Sequence, residues 1–240
     1  MRMVWVAVAV IGAICVLPTG SASADAYDDV RDALSRGDYA SAIASLRPYA
    51  DRGDTDAQYL IGAMYGRGQG VVQDYGEAAR WLRLAAEGGN EIAQLDLGTM
   101  YSNGQGVPQD DREAVKWFRL ASEHGFDQAQ FCLGNMYKDG RGVLQDYEEA
   151  VRWYRKAAAQ GYAIAMNNLG AMYGMGIGTR QNYIRAHMWA NLAAAAGAGA
   201  EAVAIRDINS RQMTPAQVAE AQRLARACLA SKYKQCGEPD

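Results

Sequence analysis

The sequence repeats itself every 36 residues, and this period constrains the fold more than any other feature of the chain. The register runs without a gap from Gly53 to Gly197, with glycine, methionine, tyrosine and tryptophan each returning in fixed columns. Such self-similarity is typical of repeat proteins in which each unit packs only on its neighbours. The four copies are residues 54–89, 90–125, 126–161 and 162–197.

Each copy carries two stretches with helical periodicity. In the first copy, apolar residues lie on one helical face from Ala57 to Tyr65 and again from Ala78 to Ala85. Gly68 and Gly70 lie between them and recur in every copy, which indicates a helix that ends in a left-handed residue followed by a sharp turn. The pattern predicts an all-α fold of helix-turn-helix repeats, an α/α solenoid.

Two further columns predict details of each copy. Asp74 and Glu77 have the spacing of a capping box at the start of the second helix, and copies two and three repeat this pair. The fourth copy has Asn182 and Arg185 instead, which favours a weaker helix start. The Gly62 column lies inside the first helix, where glycine costs about 1 kcal/mol relative to alanine. We expect a close backbone approach there, beneath the tryptophan column.

These residues together resemble a Sel1-like repeat. The resemblance rests on the string Ala57-Gln58-Tyr59-Leu60-Ile61-Gly62-Ala63-Met64-Tyr65, then Gly68-x-Gly70-Val71, Asp74-Tyr75, Ala78 and Trp81. It covers most of the chain and recurs in all four copies. It implies a superhelix related to tetratricopeptide arrays that serves as an adaptor for protein partners and has no single biochemical activity.

The flanking segments predict helical caps for the array. Asp38-Tyr39 matches Asp74-Tyr75 one period earlier, so residues 25–53 are interpreted as an N-terminal helical cap with a partial repeat. Residues 198–240 are interpreted as a C-terminal helical cap and tail, in which Thr214 to Gln217 forms a capping box that opens the last helix. Caps of this kind shield the terminal repeats of a solenoid.

Residues 1–24 have the pattern of a secretory signal peptide. Arg2 precedes an apolar run from Val4 to Leu17, and Ala22-Ser23-Ala24 provides a cleavage motif. A membrane anchor is the alternative, but this run is shorter than the roughly 20 residues that span a bilayer. We expect an exported protein, periplasmic or secreted, with no stable membrane insertion after cleavage. In an oxidising compartment we expect Cys228 and Cys236 to form a disulfide, which leaves Cys132 over.

Composition and motifs offer no case for chemistry. A formal charge of −3 argues against a general nucleic-acid binder. His124 and His187 lack the spacing of metal ligands, so we expect no metal site. No nucleophile elbow or phosphate loop is present, and we expect neither catalytic nor cofactor-binding residues.

The positions that differ between copies form what we call the variable stripe, at i, i+4, i+7 and i+11 along each first helix. By analogy with tetratricopeptide arrays the stripe lines a concave groove, and all its members except Ala63, Cys132 and Ala171 are predicted to bind a partner. Plain solvent-exposed variation is an equal alternative. The stripe comprises Asp56, Leu60, Ala63 and Arg67; Ile92, Asp96, Thr99 and Asn103; Gln128, Cys132, Asn135 and Asp139; and Ile164, Asn168, Ala171 and Met175.

The sequence therefore predicts a non-enzymatic scaffold or regulator in the cell envelope that binds an unidentified protein or peptide, without nucleic acid. A cell-wall or β-lactam-directed activity is the alternative, because a cysteine-rich branch of the Sel1-like family is linked to β-lactam binding or hydrolysis. This chain departs from that branch, since it lacks a cysteine pair in each repeat. A purely structural or sensing role remains a third reading.

Overall fold

The computed structural model describes residues 27–233 and residue 236, and its regular secondary structure over those residues is entirely helical. The predicted all-α fold class is confirmed, with the helices packed as sequential pairs that follow the 36-residue repeat. The predicted signal peptide lies outside the described residues. Over the described part of the chain, every helix is too short or too polar to cross a membrane. The helices are α1 Asp28–Ser35, α2 Tyr39–Ala50, α3 Thr55–Arg67, α4 Tyr75–Glu87, α5 Glu91–Asn103, α6 Asp111–Glu123, α7 Asp127–Asp139, α8 Tyr147–Ala158, α9 Ala163–Met175, α10 Tyr183–Ala195, α11 Gly199–Ser210 and α12 Pro215–Ala230.

The described chain divides into two compact units, and the first comprises residues 27–93 and 105–107. In it α1 packs on α2, α2 on α3 and α3 on α4. The core contains Val30, Leu46, Ile61 and Trp81, all of them buried, beneath the stacked rings of Tyr27 and Tyr49. The segment expected to be the N-terminal cap therefore holds two helices whose apolar faces join the core of the first repeat.

The second unit comprises residues 94–104, 108–233 and 236. Its helices pack in chain order from α6 to α11, and α12 packs on α10. Two apolar clusters form its core, one around Phe118 and Leu133 and the other around Tyr154, Leu169 and Leu192. Helix α5 begins at the end of the first unit and has most of its residues in the second, so repeat two is divided between the units.

The loop between the two helices of each repeat contains two glycines with different structural roles. The first of each pair ends a helix in the left-handed region, as Gly140 does with φ +67°. The second brings the loop against the start of the second helix of the preceding repeat. A Cβ at Gly142 would overlap the backbone of Asp111, and one at Gly70 would lie 2.5 Å from the backbone of Tyr39 and Ala40. Because Gly70 makes the same contact with α2, that helix docks as the second helix of a repeat.

The glycines inside the first helices pack against a different column from the one expected. A Cβ at Gly134 would lie 2.7 Å from the ring of Tyr154, and one at Gly62 would lie 3.0 Å from Leu82 Cγ. The expected approach beneath the tryptophan column is therefore wrong by one residue. The reason is geometric: in the first three copies the residue after the tryptophan is large and points at the facing helix, where it fills the space that a methyl group would need. In the fourth copy that residue is alanine, and the nearest atoms are backbone atoms 3.2 Å from the added Cβ.

The second helices begin at caps, but the full capping box is absent from α4, α6 and α8. Asp74 Oδ1 accepts from the backbone N–H groups of Gly76 and Glu77, at 2.8 and 3.0 Å. The Glu77 carboxylate instead pairs with Arg80, 2.8 Å away. In the fourth copy, Asn182 Oδ1 still accepts from the Arg185 N–H at 2.9 Å. These starts thus rely on a single capping side chain.

The C-terminal region forms two helices and a covalent link. Thr214 and Gln217 exchange both bonds of a capping box at the start of α12, as expected. Helix α11 was not individually predicted, because its sequence has no strong start signal. Cys228 and Cys236 are joined by a disulfide with their Cα atoms 4.6 Å apart, and Cys228 is buried in the core of the second unit.

Candidate functional site

The variable stripe is accessible along its whole length. Each of its positions is at least partly exposed, whereas the columns that alternate with it, such as Ala57, Ile61 and Met64 in α3, are buried. Side chains at i, i+4, i+7 and i+11 share one helical face, so in each first helix one face packs and another reaches solvent. The packed face is the one that is nearly constant between copies, and the stripe is the one that varies.

In the first unit a polar contact joins the stripe residue Asp56 to the next repeat. Asn90 Nδ2 donates to Asp56 Oδ1 at 2.9 Å, which joins the start of α5 to α3. Burial raises the pKa of Asp56, and the charge of Asp54 adds to that rise. Leu60 packs at the edge of the core, while Arg67 is exposed at the end of α3 and Ile92 is half-buried.

In the second unit, a buried tyrosine joins the stripes of two adjacent repeats. The Tyr154 hydroxyl donates to Asn135 Oδ1 at 2.6 Å, and the Asn168 side chain donates to the same hydroxyl. Asn135 belongs to α7 and Asn168 to α9, so the two stripes meet at one hydroxyl of α8. Sequence reasoning missed Tyr154. The sequence feature that could have indicated it is the column Leu82, Phe118, Tyr154 and Ala190, in which only the third copy has a hydroxyl group.

The remaining stripe residues of the second unit differ in exposure. Thr99 Oγ1 donates to the Leu95 carbonyl at 2.9 Å, so this hydroxyl is used within its own helix. Asp96 and Gln128 are half-buried, whereas Asn103 and Asp139 lie exposed at the ends of α5 and α7. This arrangement places the most accessible stripe residues at the C-terminal ends of the first helices.

Two apolar stripe residues of α9 stand out. Ile164 is 44% exposed and Met175 is 60% exposed, although both belong to apolar residue types. With Asp139 and Asn103 they give this part of the stripe a mixed character. A surface of this kind suits a peptide, because side-chain amides and acids pair with its backbone and the apolar side chains bury its side chains.

Cys132 and His187 both lie in environments that disfavour their charged forms. Cys132 packs at the edge of the Phe118 cluster, and burial raises the pKa of its thiol to about 12. His187 is buried, and the loss of hydration lowers its pKa, with a further contribution from the charge of Arg206. Within residues 27–233 and at 236, no three acidic, cysteine or histidine side chains lie close enough to hold a metal ion.

The sequence matches the family model described as Sel1 repeat over four segments, residues 55–90, 92–126, 127–162 and 163–197. These segments follow the four copies found by self-comparison to within two residues at each boundary. No curated protein sequence matches the chain.

Solved structures that are similar to the chain include two with a related repeat fold. One is a protective antigen of uropathogenic Escherichia coli strains that displays an SLR fold, with 36% identity and a TM-score of 0.71 over 84% of this chain. The chain spans 46% of the length of that antigen. The other is a Sel1 repeat protein from Oxalobacter formigenes, with 29% identity, a TM-score of 0.68, and coverage of 87% of this chain and 91% of that one.

Proposed function

This chain belongs to the Sel1 repeat family, and from that premise we propose that it is an exported scaffold that binds a protein or peptide partner through the variable stripe. The observation that carries the proposal is the contrast between faces of the first helices. The packed face is constant and buried, whereas the stripe differs from copy to copy and stays accessible. A partner would therefore meet a firm scaffold and need little reorganisation of it.

Export is supported by two observations. The disulfide between Cys228 and Cys236 is of a type that persists in oxidising compartments and is rare in the cytosol. The similar structure from Escherichia coli is described as a protective antigen, which fits a location open to antibodies. The signal-peptide pattern of residues 1–24 agrees with both.

A scaffold without chemistry of its own fits the state of Cys132. Its raised thiol pKa leaves very little thiolate at neutral pH, so this cysteine is a poor nucleophile. The competing prediction, a β-lactam-directed activity, is tested separately. Turnover of a chromogenic cephalosporin by the purified protein would contradict the scaffold proposal, and we expect none above a boiled control.

The binding test uses exposed stripe residues, because Asn135 and Asn168 also hold Tyr154 in place. The test variant combines Asp139→Ala, Ile164→Ala and Met175→Ala. The matched control removes one acid and two exposed apolar side chains away from the stripe, through Glu148→Ala, Leu144→Ala and Ile208→Ala. Both variants should keep wild-type circular dichroism, since all six side chains are exposed.

The measurement begins with crosslinking in envelope extracts, identification of the captured protein, and titration of that protein against each variant. We expect the stripe variant to raise the dissociation constant at least about tenfold, since apolar anchors at an interface each contribute on the order of 1 kcal/mol or more. The control should change it by less than about twofold, as residues outside an interface do. Equal binding by the stripe variant and wild type would overturn the proposal.

A further inference from the structure

A basic cleft opens in the second unit beside the start of α10. It has a volume of about 390 Å³. Its walls come from α8, from the end of α9, and from the loop and first turn of α10. The described side chains that line it are Arg155, Tyr173, Thr179, Arg180, Gln181, Asn182 and Arg185, and among these three are arginines and none is acidic.

Two of the arginines converge on one buried phenol. Arg155 Nη2 donates to the Tyr173 hydroxyl oxygen at 2.6 Å, and Arg185 Nη1 donates to the same oxygen at 3.2 Å. Tyr173 is only 3% exposed. Arg155 Nε also donates to this oxygen, at 3.1 Å, so the oxygen accepts three hydrogen bonds from the two arginines. Its own O–H hydrogen is left to donate, and no acceptor for it lies among the described residues. The floor of the cleft therefore presents a buried donor between guanidinium groups.

One period earlier, the equivalent positions contain the same arginine–tyrosine contact but do not carry a net positive charge. Arg119 Nη2 donates to the Tyr137 hydroxyl at 2.9 Å, as Arg155 does to Tyr173 one period later. The arginine–tyrosine contact is thus shared by the repeats and does not itself define a ligand site. The difference lies in the three other positions, which in the third copy are Leu144, Asp146 and Glu149 and in the fourth are Arg180, Asn182 and Arg185.

All three exchanges act in the same direction. They add a cation, remove an acid and replace an acid with a cation. With the shared arginine included, the formal charge of this group of positions changes from −1 in the third copy to +3 in the fourth. Arg185 also occupies the first turn of α10, where the helix dipole favours an acid, as Glu149 provides in α8. A cation at this position interacts unfavourably with the helix dipole, and binding of an anionic ligand would offset this cost.

We propose that this cleft, which we call the arginine cleft, binds an oxyanion, the carboxylate or phosphate group of a ligand. The planar guanidinium groups donate paired N–H bonds to such a group, and the Tyr173 hydroxyl supplies one further donor from a site with little water. The start of α10 adds its positive dipole to the same space. The inference goes beyond the scaffold function, because none of the cleft residues belongs to the variable stripe.

The test is calorimetric titration of the purified protein with inorganic phosphate and, separately, with citrate, in 150 mM NaCl to screen non-specific charge effects. The key variant is Arg185→Glu, which installs the residue that the first three copies carry at this position and should therefore fold. We expect it to weaken binding of the preferred anion at least about tenfold, as loss of a charge-assisted contact to a buried anion does. Arg180→Glu should weaken it in the same direction.

A charge-matched control separates the site from general electrostatics. Arg226→Glu reverses an exposed arginine of α12 that lies outside the cleft, so it should change the affinity by less than about twofold. Tyr173→Phe keeps the ring and removes only the hydroxyl, and we expect a smaller loss than for Arg185→Glu. The stripe variant Asp139→Ala, Ile164→Ala and Met175→Ala should bind the anions normally, whether or not it binds a partner.

The outcomes discriminate between the sources of the oxyanion. Saturable one-to-one binding of phosphate over citrate, abolished by Arg185→Glu, supports a phosphate ligand, and the reverse order supports a carboxylate ligand. Absence of saturable binding to either anion would overturn the proposal. Equal weakening by Arg185→Glu and Arg226→Glu would overturn it as well, because the effect would then be one of net charge.

Discussion

A methyl group has no room at position 134, in the middle of α7. A Cβ there would lie 2.7 Å from the ring of Tyr154, a fully buried side chain whose hydroxyl donates to Asn135 and accepts from Asn168. Replacing a mid-helix glycine by alanine gains about 1 kcal/mol of helix propensity. Forcing an extra carbon into a packed core costs about 1–3 kcal/mol, so the two effects oppose each other.

We expect Gly134→Ala to lower the free energy of unfolding by about 1–2 kcal/mol, because the ring cannot move aside and overpacking outweighs propensity. Gly170→Ala is the matched variant. There the nearest atoms, in Ala186 and Ala190, would lie 3.2 Å from the new Cβ, and we expect a change near zero. Urea unfolding followed by circular dichroism measures both. Higher stability of Gly134→Ala than of wild type would show that the contact is not tight.

At this scale the sequence indicated which residues matter but not what they touch. The glycine column at 62, 98, 134 and 170 indicated a close approach, yet the nearest side chain in the first three copies is the residue after the tryptophan, and in the fourth copy backbone atoms are nearest. The apolar stripe of a helix is about 100° wide, which is also the angle between successive residues. Periodicity therefore does not tell which of two neighbouring columns faces the glycine. Tyr154 and the arginine cleft were missed for a related reason. The sequence shows that a residue differs from the others in its column, but it does not show which residues surround it in space.

At the scale of elements, the stacking of repeats depends on the second glycine of each loop. Gly142 has φ +69°, and a Cβ would overlap the carbonyl of Asp111 at the start of α6. Gly197 has a similar left-handed conformation, with φ +91°, but its Cβ would meet open space. The two positions therefore share the backbone cost of alanine, about 1–2 kcal/mol, and differ only in the contact with the preceding repeat.

We expect Gly142→Ala to destabilise the protein by at least about 2 kcal/mol more than Gly197→Ala, because the loop must withdraw from α6 to relieve the overlap. Equilibrium unfolding in urea gives both values, and the m-value reports whether the transition stays cooperative. Equal losses for the two variants would mean that the loop glycine serves only the turn.

The helices themselves were largely predictable from the sequence. Apolar periodicity, aspartates at helix starts and glycines at helix ends fixed both helices of each copy, because these signals are local. The reciprocal bond of the capping box was not predictable, because Glu77 lies three residues from both Asp74 and Arg80. The sequence does not tell whether its carboxylate accepts from the Asp74 N–H or pairs with Arg80, as it does. Helix α11 was missed because it has no capping side chain at its start and is held by tertiary contacts with α9 and α10.

For the whole molecule, the repeat predicts a requirement for caps, because each end of an array presents an apolar face. In the second unit that face belongs to α9 and α10, and it is covered by α11 and α12. Ala202, Ala225 and Cys228 from these last helices join the same buried cluster as Met188 and Leu192. The disulfide then ties the segment after α12 back to that cluster, beside Tyr233.

Two truncations separate the contributions of the last helices and of the disulfide. A chain that ends at Gly197 lacks α11 and α12, and we expect it to bind the dye ANS and to self-associate because the face of α10 becomes exposed. A chain that ends at Ser231 keeps both helices but loses Cys236, and it should stay monomeric with a stability lower by about 2–3 kcal/mol, the usual effect of a disulfide that closes a short loop. Light scattering and urea unfolding measure these outcomes. If the shorter chain were monomeric and cooperative, the fourth repeat would need no cap, and α11 and α12 would then be free to serve binding.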